Sequence, residues 1–314
     1  MEGNMSEKIL IIKPGYSETL VNEISKIASL GDVLRSTVIL HLYKDAHITW
    51  LVDEKALPLL RGNPYLNRIL PYELTSVLQL QNEEFDTVIN FEKVPGICAF
   101  SDSIKAWKRY GFRFDTKTGS LRAYDGSHHA LELCLNPENN RKYWEEMLFE
   151  MVGRGWSGEL PILGYKPKSK EIHDIGFNYC VGDKWPIKAW PKENWQELEL
   201  LLDDKYSISW QEGLKNLEDY IEWINSCRLI VTNDSLGLHI AHALNKKIVA
   251  LFGPTNSTEV FVKNGIKLLP EPTPDCLPCT SNKCFIGKSC MYGIKPDVVF
   301  KEINKLMEVN YGTD

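Results

Sequence analysis

The stretch RLIVTNDSLGLHIAHALNKKIVALF, residues 228–252, decides the fold of the second half of the chain. Its apolar start predicts a buried strand over 228–232, which runs into a turn at 233–234. A helix is predicted over 235–244 and a second buried strand over 247–252. Short apolar strands joined through a helix are typical of a parallel sheet, so this stretch predicts an α/β fold.

The same alternation of strands and helices continues over most of the chain. Further strands are predicted at 9–12, 47–52, 68–70, 85–90 and 175–181, and further helices at 30–43, 56–60, 192–202 and 217–227. A segment rich in Gly, Pro and Lys, residues 153–170, predicts a domain boundary. We therefore predict two Rossmann-like domains with mostly parallel sheets, over 1–165 and 166–295. An amphipathic C-terminal helix in 296–314 is expected to pack back on the N-terminal domain.

The charge balance and hydropathy exclude several classes of protein. The 314 residues contain 36 Lys and Arg against 42 Asp and Glu, which gives a net charge of −6. A dedicated nucleic-acid binder usually has a strong basic surplus, so no nucleic-acid partner is expected. The sequence has neither an apolar run of the roughly 20 residues that cross a bilayer nor a signal-peptide pattern, which predicts a cytoplasmic protein.

The turn in the opening stretch is a candidate anion site. Ligands of α/β sheets bind at the carboxyl ends of the strands, and the positive end of the following helix suits a phosphate. Asp234 and Ser235 are explained equally well as residues that cap this helix. Lys188 lies in another loop between a strand and a helix, where it could neutralise a phosphate or simply be solvated.

A basic segment covers residues 104–122, with six Lys and Arg against Asp115 alone, a local charge of +5. Aromatic residues alternate with these charges, which suits an anionic partner such as a phosphorylated sugar or a lipid headgroup. The alternative is the solvated face of a helix. Its candidate acceptor-binding residues are Lys105, Arg109 and Arg113.

Gly31 and Asp32 open the first predicted helix. Asp32 could cap this helix or act as a general base in a cleft between the domains. The local sequence favours the cap.

Four of the eight cysteines are concentrated in one short loop, 276–290. Cys276, Cys279, Cys284 and Cys290 have the spacing C-x2-C-x4-C-x5-C. Four thiolates at such spacing can bind zinc or iron, so a structural metal is predicted; the alternatives are free thiols or disulfides formed on oxidation. The other cysteines, in apolar surroundings, are expected to be buried small residues: Cys98, Cys134, Cys180 and Cys227.

Taken together, these motifs resemble a known family. The segments 231–244 and 249–255, VTNDSLGLHIAHAL and VALFGPT, are similar to the signature of glycosyltransferase family 9, the ADP-heptose:lipopolysaccharide heptosyltransferases. SLGDVLR at 29–35, ITWLV at 48–52 and the turn at 63–64 resemble its N-terminal motifs. The resemblance implies a GT-B fold, in which two Rossmann-like domains face each other across a cleft.

The resemblance also implies roles for individual residues. Asp32 matches the family's catalytic base, which reverses the local preference for a cap. The positions that match donor-binding residues are Lys188, Asp234, Ser235, Gly237, His239 and, near adenine, Lys215. The sequence departs from the family in the additional residues 14–27, in Leu236 before Gly237, and in Asp183 in the loop that should hold the diphosphate.

The expected function is that of an inverting glycosyltransferase. It would move a heptose from a nucleotide diphosphate, expected to be ADP-heptose, to a hydroxyl of the lipopolysaccharide core or another anionic glycan or glycolipid. The alternatives are another nucleotide-sugar donor, a protein acceptor as for autotransporter heptosyltransferases, and a non-catalytic binding protein stabilised by metal. Catalysis is expected to need no cofactor, and the cytoplasmic face of the inner membrane is the expected place of action.

Overall fold

The computed structural model describes residues 6–16, 27–211, 216–279 and 281–308. The chain divides into two compact units, Met1–Lys166 and Pro167–Asp314. Each unit contains a mostly parallel sheet with helices connecting its strands. Within the described residues, every helix is too short or too polar to cross a bilayer.

The first unit is built on a six-stranded sheet in the order β3-β2-β1-β4-β5-β6. β1 to β5 are parallel and β6 is antiparallel to β5. The strands are β1 Lys8–Ile12, β2 His47–Val52, β3 Arg68–Pro71, β4 Glu84–Asn90, β5 Lys105–Phe114 and β6 Leu121–Ala123. The strand order reverses between β1 and β4, and the register pairs Ile12 with Asn90. Residues that follow these two strands therefore meet at one edge of the sheet, where α/β proteins bind ligands.

The helices of the first unit are α1 Leu30–Ser36, α2 Leu57–Leu60, α3 Leu74–Gln81, α4 Pro95–Ser103, α5 His128–Leu135 and α6 Trp144–Met151. The predicted helix over 30–43 is α-helical only to Ser36 and continues as a 3-10 helix over Thr37–Leu42. Three β-branched residues in a row, Thr37, Val38 and Ile39, disfavour a further α-helical turn. The Thr37 hydroxyl also donates to the Leu34 carbonyl at 2.6 Å.

The second unit has a five-stranded, fully parallel sheet in the order β11-β10-β9-β7-β8. Its strands are β7 His173–Asn178, β8 Ile208–Trp210, β9 Cys227–Asn233, β10 Lys247–Leu251 and β11 Gly265–Leu268. Its helices are α7 Lys192–Leu202, α8 Leu217–Asn225, α9 Leu236–Ala243 and α10 Pro296–Glu308. The strand order reverses between β7 and β9, so Asn178 and Asn233 end neighbouring strands at the candidate anion site.

The C-terminal helix contributes to the core of the second unit. α10 lies against α7 and against β10 and β11 of the second unit. Its residues Val299, Ile303 and Met307 are buried in the second unit's own core, which also contains Trp195. These three residues, spaced four apart, form one apolar stripe. Packing of the segment 296–314 on the N-terminal domain stays a prediction.

A glycine in β5 offers a test of the first sheet. Gly111 has a φ of +88° and lies opposite Asn90, and a Cβ placed on it would come within 1.9 Å of the Asn90 carbonyl oxygen. Gly119 has a φ of +69° but no atom within 4 Å of such a Cβ. We expect Gly111→Ala to lower the free energy of unfolding of the first unit by more than about 2 kcal/mol beyond the loss in Gly119→Ala. Urea denaturation measures both variants, and equal losses would contradict the close approach of β5 to β4.

Candidate functional site

Three charged side chains meet at the ligand edge of the first sheet. Lys13 directly follows β1, Glu92 follows β4, and Asp32 lies in the first turn of α1. The Lys13 ammonium contacts the Asp32 carboxylate and lies 3.5 Å from Glu92 Oε1. Lys13 and Glu92 are buried, whereas the Asp32 side chain keeps 16% of its surface exposed. Asp32 is therefore the member of the cluster that a bound molecule can reach.

Asp32 is an ionised carboxylate rather than a helix cap. Ser29 occupies the N-cap position of α1, although its side chain makes no capping hydrogen bond, so the local preference for Asp32 as the cap residue is wrong. Burial acts to raise the pKa of Asp32, but the positive charge and hydrogen bond of Lys13 outweigh it and lower the pKa to about 2. At neutral pH the side chain can thus accept a proton.

A second lysine–aspartate pair lies at the ligand edge of the second sheet. Lys188 Nζ is 2.8 Å from Asp234 Oδ2, and both side chains are buried. The Thr255 hydroxyl donates to the same carboxylate oxygen at 2.7 Å. Burial acts to raise the pKa of Asp234, but the charges of Lys188 and His239 outweigh it and lower the pKa to about 2. The predicted phosphate-binding lysine is therefore fixed beside the start of α9.

The start of α9 has the geometry expected of an anion site. Ser235 is the N-cap residue, but its side chain does not cap a backbone amide of the helix. Its hydroxyl instead accepts a hydrogen bond from Asn178 Nδ2 at 3.0 Å. The helix therefore begins with its positive end directed to the same sheet edge as Lys188.

Gly237 is required by packing. A Cβ on Gly237 would come within 2.3 Å of both Asn178 Nδ2 and the Tyr220 hydroxyl. Asn178 joins the end of β7 to its neighbours: it accepts from the Tyr220 hydroxyl at 2.6 Å and donates to Thr232 Oγ1 at 2.7 Å. A side chain at 237 would displace this network and with it the start of α9.

Two further predicted donor-binding residues have different outcomes. His239 lies on α9, buried, close enough to Asp234 to act on its charge. Lys215 lies outside the residues that the structure describes. Most of the additional segment at 14–27 is outside them as well.

The predicted acceptor-binding residues lie on β5, so the alternative of a solvated helix face is wrong. The alternation of aromatic and charged residues there is the period of a strand. Lys105 pairs with Glu84 at 3.5 Å, and Arg113 lies 5.6 Å from the ring centre of Tyr124. The Arg109 guanidinium donates to the Ala106 carbonyl at 2.8 Å and contacts that of Ile104. Each of the three therefore has a separate partner within the first unit.

The metal centre predicted for the cysteine loop stays a prediction; the charges of Cys276, Cys284 and Cys279 all act on Cys290, whose pKa is raised first by burial. Cys276 and Cys284 are exposed free thiols, whereas Cys279 and Cys290 are half-buried. Cys290 packs against the second unit's core, with Sγ 3.0 Å from the Cβ position of Gly253. Among the described residues no three Cys, His, Asp or Glu side chains form a group that could hold a metal.

The scattered cysteines divide into two groups. Cys98 and Cys227 are buried as expected, whereas Cys134 and Cys180 are only half-buried.

Sequence reasoning missed the residues that partner the predicted ones. Lys13, Glu92, Asn178 and Thr255 were not selected as candidates, although each lies at or just after the carboxyl end of a strand. Lys13 and Glu92 follow β1 and β4, the two strands at which the order reverses. Polar residues at that position are the signal that could have identified them.

The chain is similar to known glycosyltransferases. The family model described as glycosyltransferase family 9 (heptosyltransferase) matches residues 213–287. Lipooligosaccharide heptosyltransferase 2 of Campylobacter jejuni is 38% identical over 82 residues, 26% of each chain. The similarity thus spans about a quarter of that relative's length. The predicted resemblance to glycosyltransferase family 9 is confirmed.

Family 9 similarity also extends over most of the chain at lower identity. Lipopolysaccharide heptosyltransferase 1 of Campylobacter coli is 21% identical over 90% of this chain and 98% of its own. The structure of Escherichia coli ADP-heptose lps heptosyltransferase II superposes with a TM-score of 0.65 at 19% identity, covering 96% of this chain and 98% of that one. The predicted GT-B fold class, with its two Rossmann-like sheets, is confirmed.

Acidification should destabilise the protein through Asp32 and Asp234. Both have a pKa of about 2 in the folded chain, below the ordinary value of 3.8. A lowered pKa contributes stability that is complete above the unfolded value and is lost as the pH falls through the folded value. We expect each carboxylate to contribute about 2 kcal/mol, lost between about pH 4 and pH 2.

Urea denaturation across this pH range, with Asp234→Asn as the comparison, measures that contribution. The variant should be less stable at neutral pH, since it leaves the buried Lys188 without its counter-ion, and it should lose less stability on acidification. The same pH dependence in both proteins would mean that Asp234 is not held ionised by this pair.

Proposed function

We propose that the chain is an inverting glycosyltransferase that transfers a heptose from ADP-heptose to a hydroxyl of the lipopolysaccharide core. The observation that carries the proposal is the buried Lys188–Asp234 pair beside the start of α9. Asp234 and α9 both lie within residues 213–287, the segment that matches the family 9 model. The names of the relatives support both substrates: the Campylobacter proteins are lipooligosaccharide and lipopolysaccharide heptosyltransferases, and the E. coli enzyme is named for ADP-heptose.

The second unit would bind the donor and stabilise the leaving group. As the bond between heptose and diphosphate breaks, negative charge develops on the departing ADP. The Lys188 ammonium and the positive end of α9 are both at the sheet edge where that charge would form. The diphosphate would compete with Asp234 for Lys188, and Asp234 would keep the lysine protonated and in place until the donor enters.

The first unit would activate the acceptor. Asp32 is ionised, partly exposed and fixed at the sheet edge by Lys13. Its carboxylate would take the proton of the acceptor hydroxyl while the hydroxyl oxygen attacks the anomeric carbon. A single displacement of this kind inverts the configuration at that carbon.

The acceptor would be an anionic glycan or glycolipid. The strand β5 presents Lys105, Arg109 and Arg113 within the segment of charge +5, which supports binding of phosphate or carboxylate groups. A glycolipid acceptor would be met at the cytoplasmic face of the inner membrane, where the protein would associate peripherally.

Donor binding should be selective and should depend on Lys188. We expect ADP and ADP-heptose to raise the melting temperature more than the GDP- and UDP-linked equivalents do. Lys188→Met should weaken ADP binding about 10- to 100-fold, because it removes charge-assisted hydrogen bonds to phosphate.

Isothermal titration of ADP measures this loss, with Lys192→Met as the control. Lys192 is an exposed lysine four residues further along the same region, at the start of α7. Equal losses of affinity in the two variants would remove Lys188 from the donor site.

Asp32→Asn should abolish transfer without affecting donor binding. The amide keeps the size of the side chain but cannot take a proton, so the rate should fall about 100- to 10,000-fold. Product formation from ADP-heptose and a lipopolysaccharide-core acceptor measures the rate, and titration of ADP measures donor binding.

Two results would contradict this assignment. Full transfer by Asp32→Asn would show that another group is the base. Tight binding of ADP-heptose by the unmodified protein, with no turnover on any glycan acceptor, would favour a non-catalytic binding protein.

A further inference from the structure

The buried cluster around Asp32 contains two residues that the proposed chemistry does not itself use. Lys13 and Glu92 both reach the ligand edge from neighbouring strands, and a single ammonium contacts both carboxylates. We infer that Lys13 and Glu92 are positioning residues that act on Asp32 in opposite directions, Lys13 holding its carboxylate ionised and oriented, and Glu92 limiting how strongly the ammonium does so. This inference rests on the proposed role of Asp32 as the base.

Lys13 has little freedom to move. Its side chain is 1% exposed, it follows β1 without an intervening residue, and its Nζ lies 5.8 Å from the ring centre of Trp144. A buried ammonium without a counter-ion is costly, so the contact with Asp32 is retained. Because Lys13 contacts Oδ2 of Asp32, the acceptor proton would be taken by Oδ1.

Glu92 is fixed even more tightly. Its side chain is fully buried, and its Oε1 accepts a hydrogen bond from the Gly15 amide at 2.5 Å. Its Oε2 is buried without a hydrogen-bond partner among the described residues. Burying a carboxylate with one unsatisfied oxygen destabilises the fold, and packing alone gives no reason for it. The Glu92 charge does have an electrostatic consequence. A second carboxylate beside the Lys13 ammonium weakens the stabilisation that this ammonium gives to the ionised form of Asp32.

Other charges around Asp32 do not replace this arrangement. Arg35 lies on the same helix as Asp32, and its Nε is 3.3 Å from Oε1 of Glu145 in α6. The Glu145 carboxylate therefore compensates part of the positive charge of Arg35. Lys93, next to Glu92, also acts on Asp32. Both cations favour the ionised carboxylate. Glu92, 3.5 Å from the Lys13 ammonium, would act against them by drawing part of that ammonium's charge to itself.

The reaction imposes two demands that the cluster meets together. A base must be ionised before the acceptor binds, which Lys13 provides, and it must still accept a proton during the reaction, which too strong a cation would prevent. The acceptor O–H bond breaks, the Asp32 Oδ1–H bond forms, and the electron pair of the hydroxyl oxygen forms the new glycosidic bond as ADP leaves.

A charge-removal series tests the inference: Lys13→Met, Lys13→Arg, Glu92→Gln and the double variant Lys13→Met/Glu92→Gln. We expect the acidic limb of the kcat/KM profile to lie below about pH 4 in the unmodified protein and in Lys13→Arg, which keeps the charge. In Lys13→Met two buried carboxylates remain together, so the limb should move up by about one pH unit or more. In the double variant the limb should return towards its original position and activity near pH 5 should recover severalfold over Lys13→Met.

The position of the acidic limb separates an electrostatic role from a structural one. If Lys13 and Glu92 only stabilise the fold, the double variant can regain stability over Lys13→Met, because no unpaired buried charge remains, but the limb lies at the same pH in all the variants. That outcome, or an acidic limb unmoved by Lys13→Met, would overturn the inference. Glu92→Gln alone should not move the limb upwards, and circular dichroism and thermal melting should show that each variant is folded.

A titration without acceptor keeps this test separate from the proposed function. Carboxyl ¹³C resonances of labelled aspartate, with Asp32 assigned by difference from Asp32→Asn, follow its protonation directly. The same order of midpoints is expected, highest in Lys13→Met and lower in the double variant. If no variant transfers heptose but the midpoints follow this order, the proposed function fails and the electrostatic arrangement stands; unchanged midpoints overturn the arrangement itself.

Discussion

The buried Lys188–Asp234 ion pair is the interaction on which the candidate donor site depends. Removing one partner of a buried pair typically costs about 3–5 kcal/mol, because the other charge remains in a medium that solvates it poorly. The pair therefore couples the loop before α7 to the start of α9, and Thr255 adds the segment after β10. The hydrogen bond from the Trp190 amide to Asn233 Oδ1, 2.9 Å long, joins the same loop to the end of β9, so the ion pair lies within a braced sheet edge.

The first unit also has a lysine–aspartate pair at the ligand edge of its sheet. In both units a lysine and an aspartate meet where the strand order reverses, and in both the carboxylate is kept ionised. Under the proposed function, the cation of the second unit would be available to an incoming diphosphate, and the anion of the first unit would be available to a proton. The same interaction would then support stabilisation of the leaving group in one unit and base catalysis in the other.

The sequence predicted local structure well and tertiary partners poorly. The strand–turn–helix–strand at 228–252 was readable because its pattern is contained in consecutive residues. Asp32 and Lys188 were found through motif resemblance. Lys13, which contacts Asp32, and Thr255, which donates to Asp234, were not, because a contact between distant segments depends on strand order, which periodicity does not specify. The cysteine loop shows a related limit: its spacing does not specify that Cys290 packs against the core while Cys276 and Cys284 are exposed.

The packing of α10 has a consequence for biogenesis. Because its apolar stripe completes the core of the second unit, the described part of the first unit contains its own sheet and helices without it. We therefore expect the first unit to begin folding while the second is still being synthesised. The core of the second unit, in contrast, combines residues from β7 to α10, so part of its hydrophobic surface stays uncovered until α10 has left the ribosome.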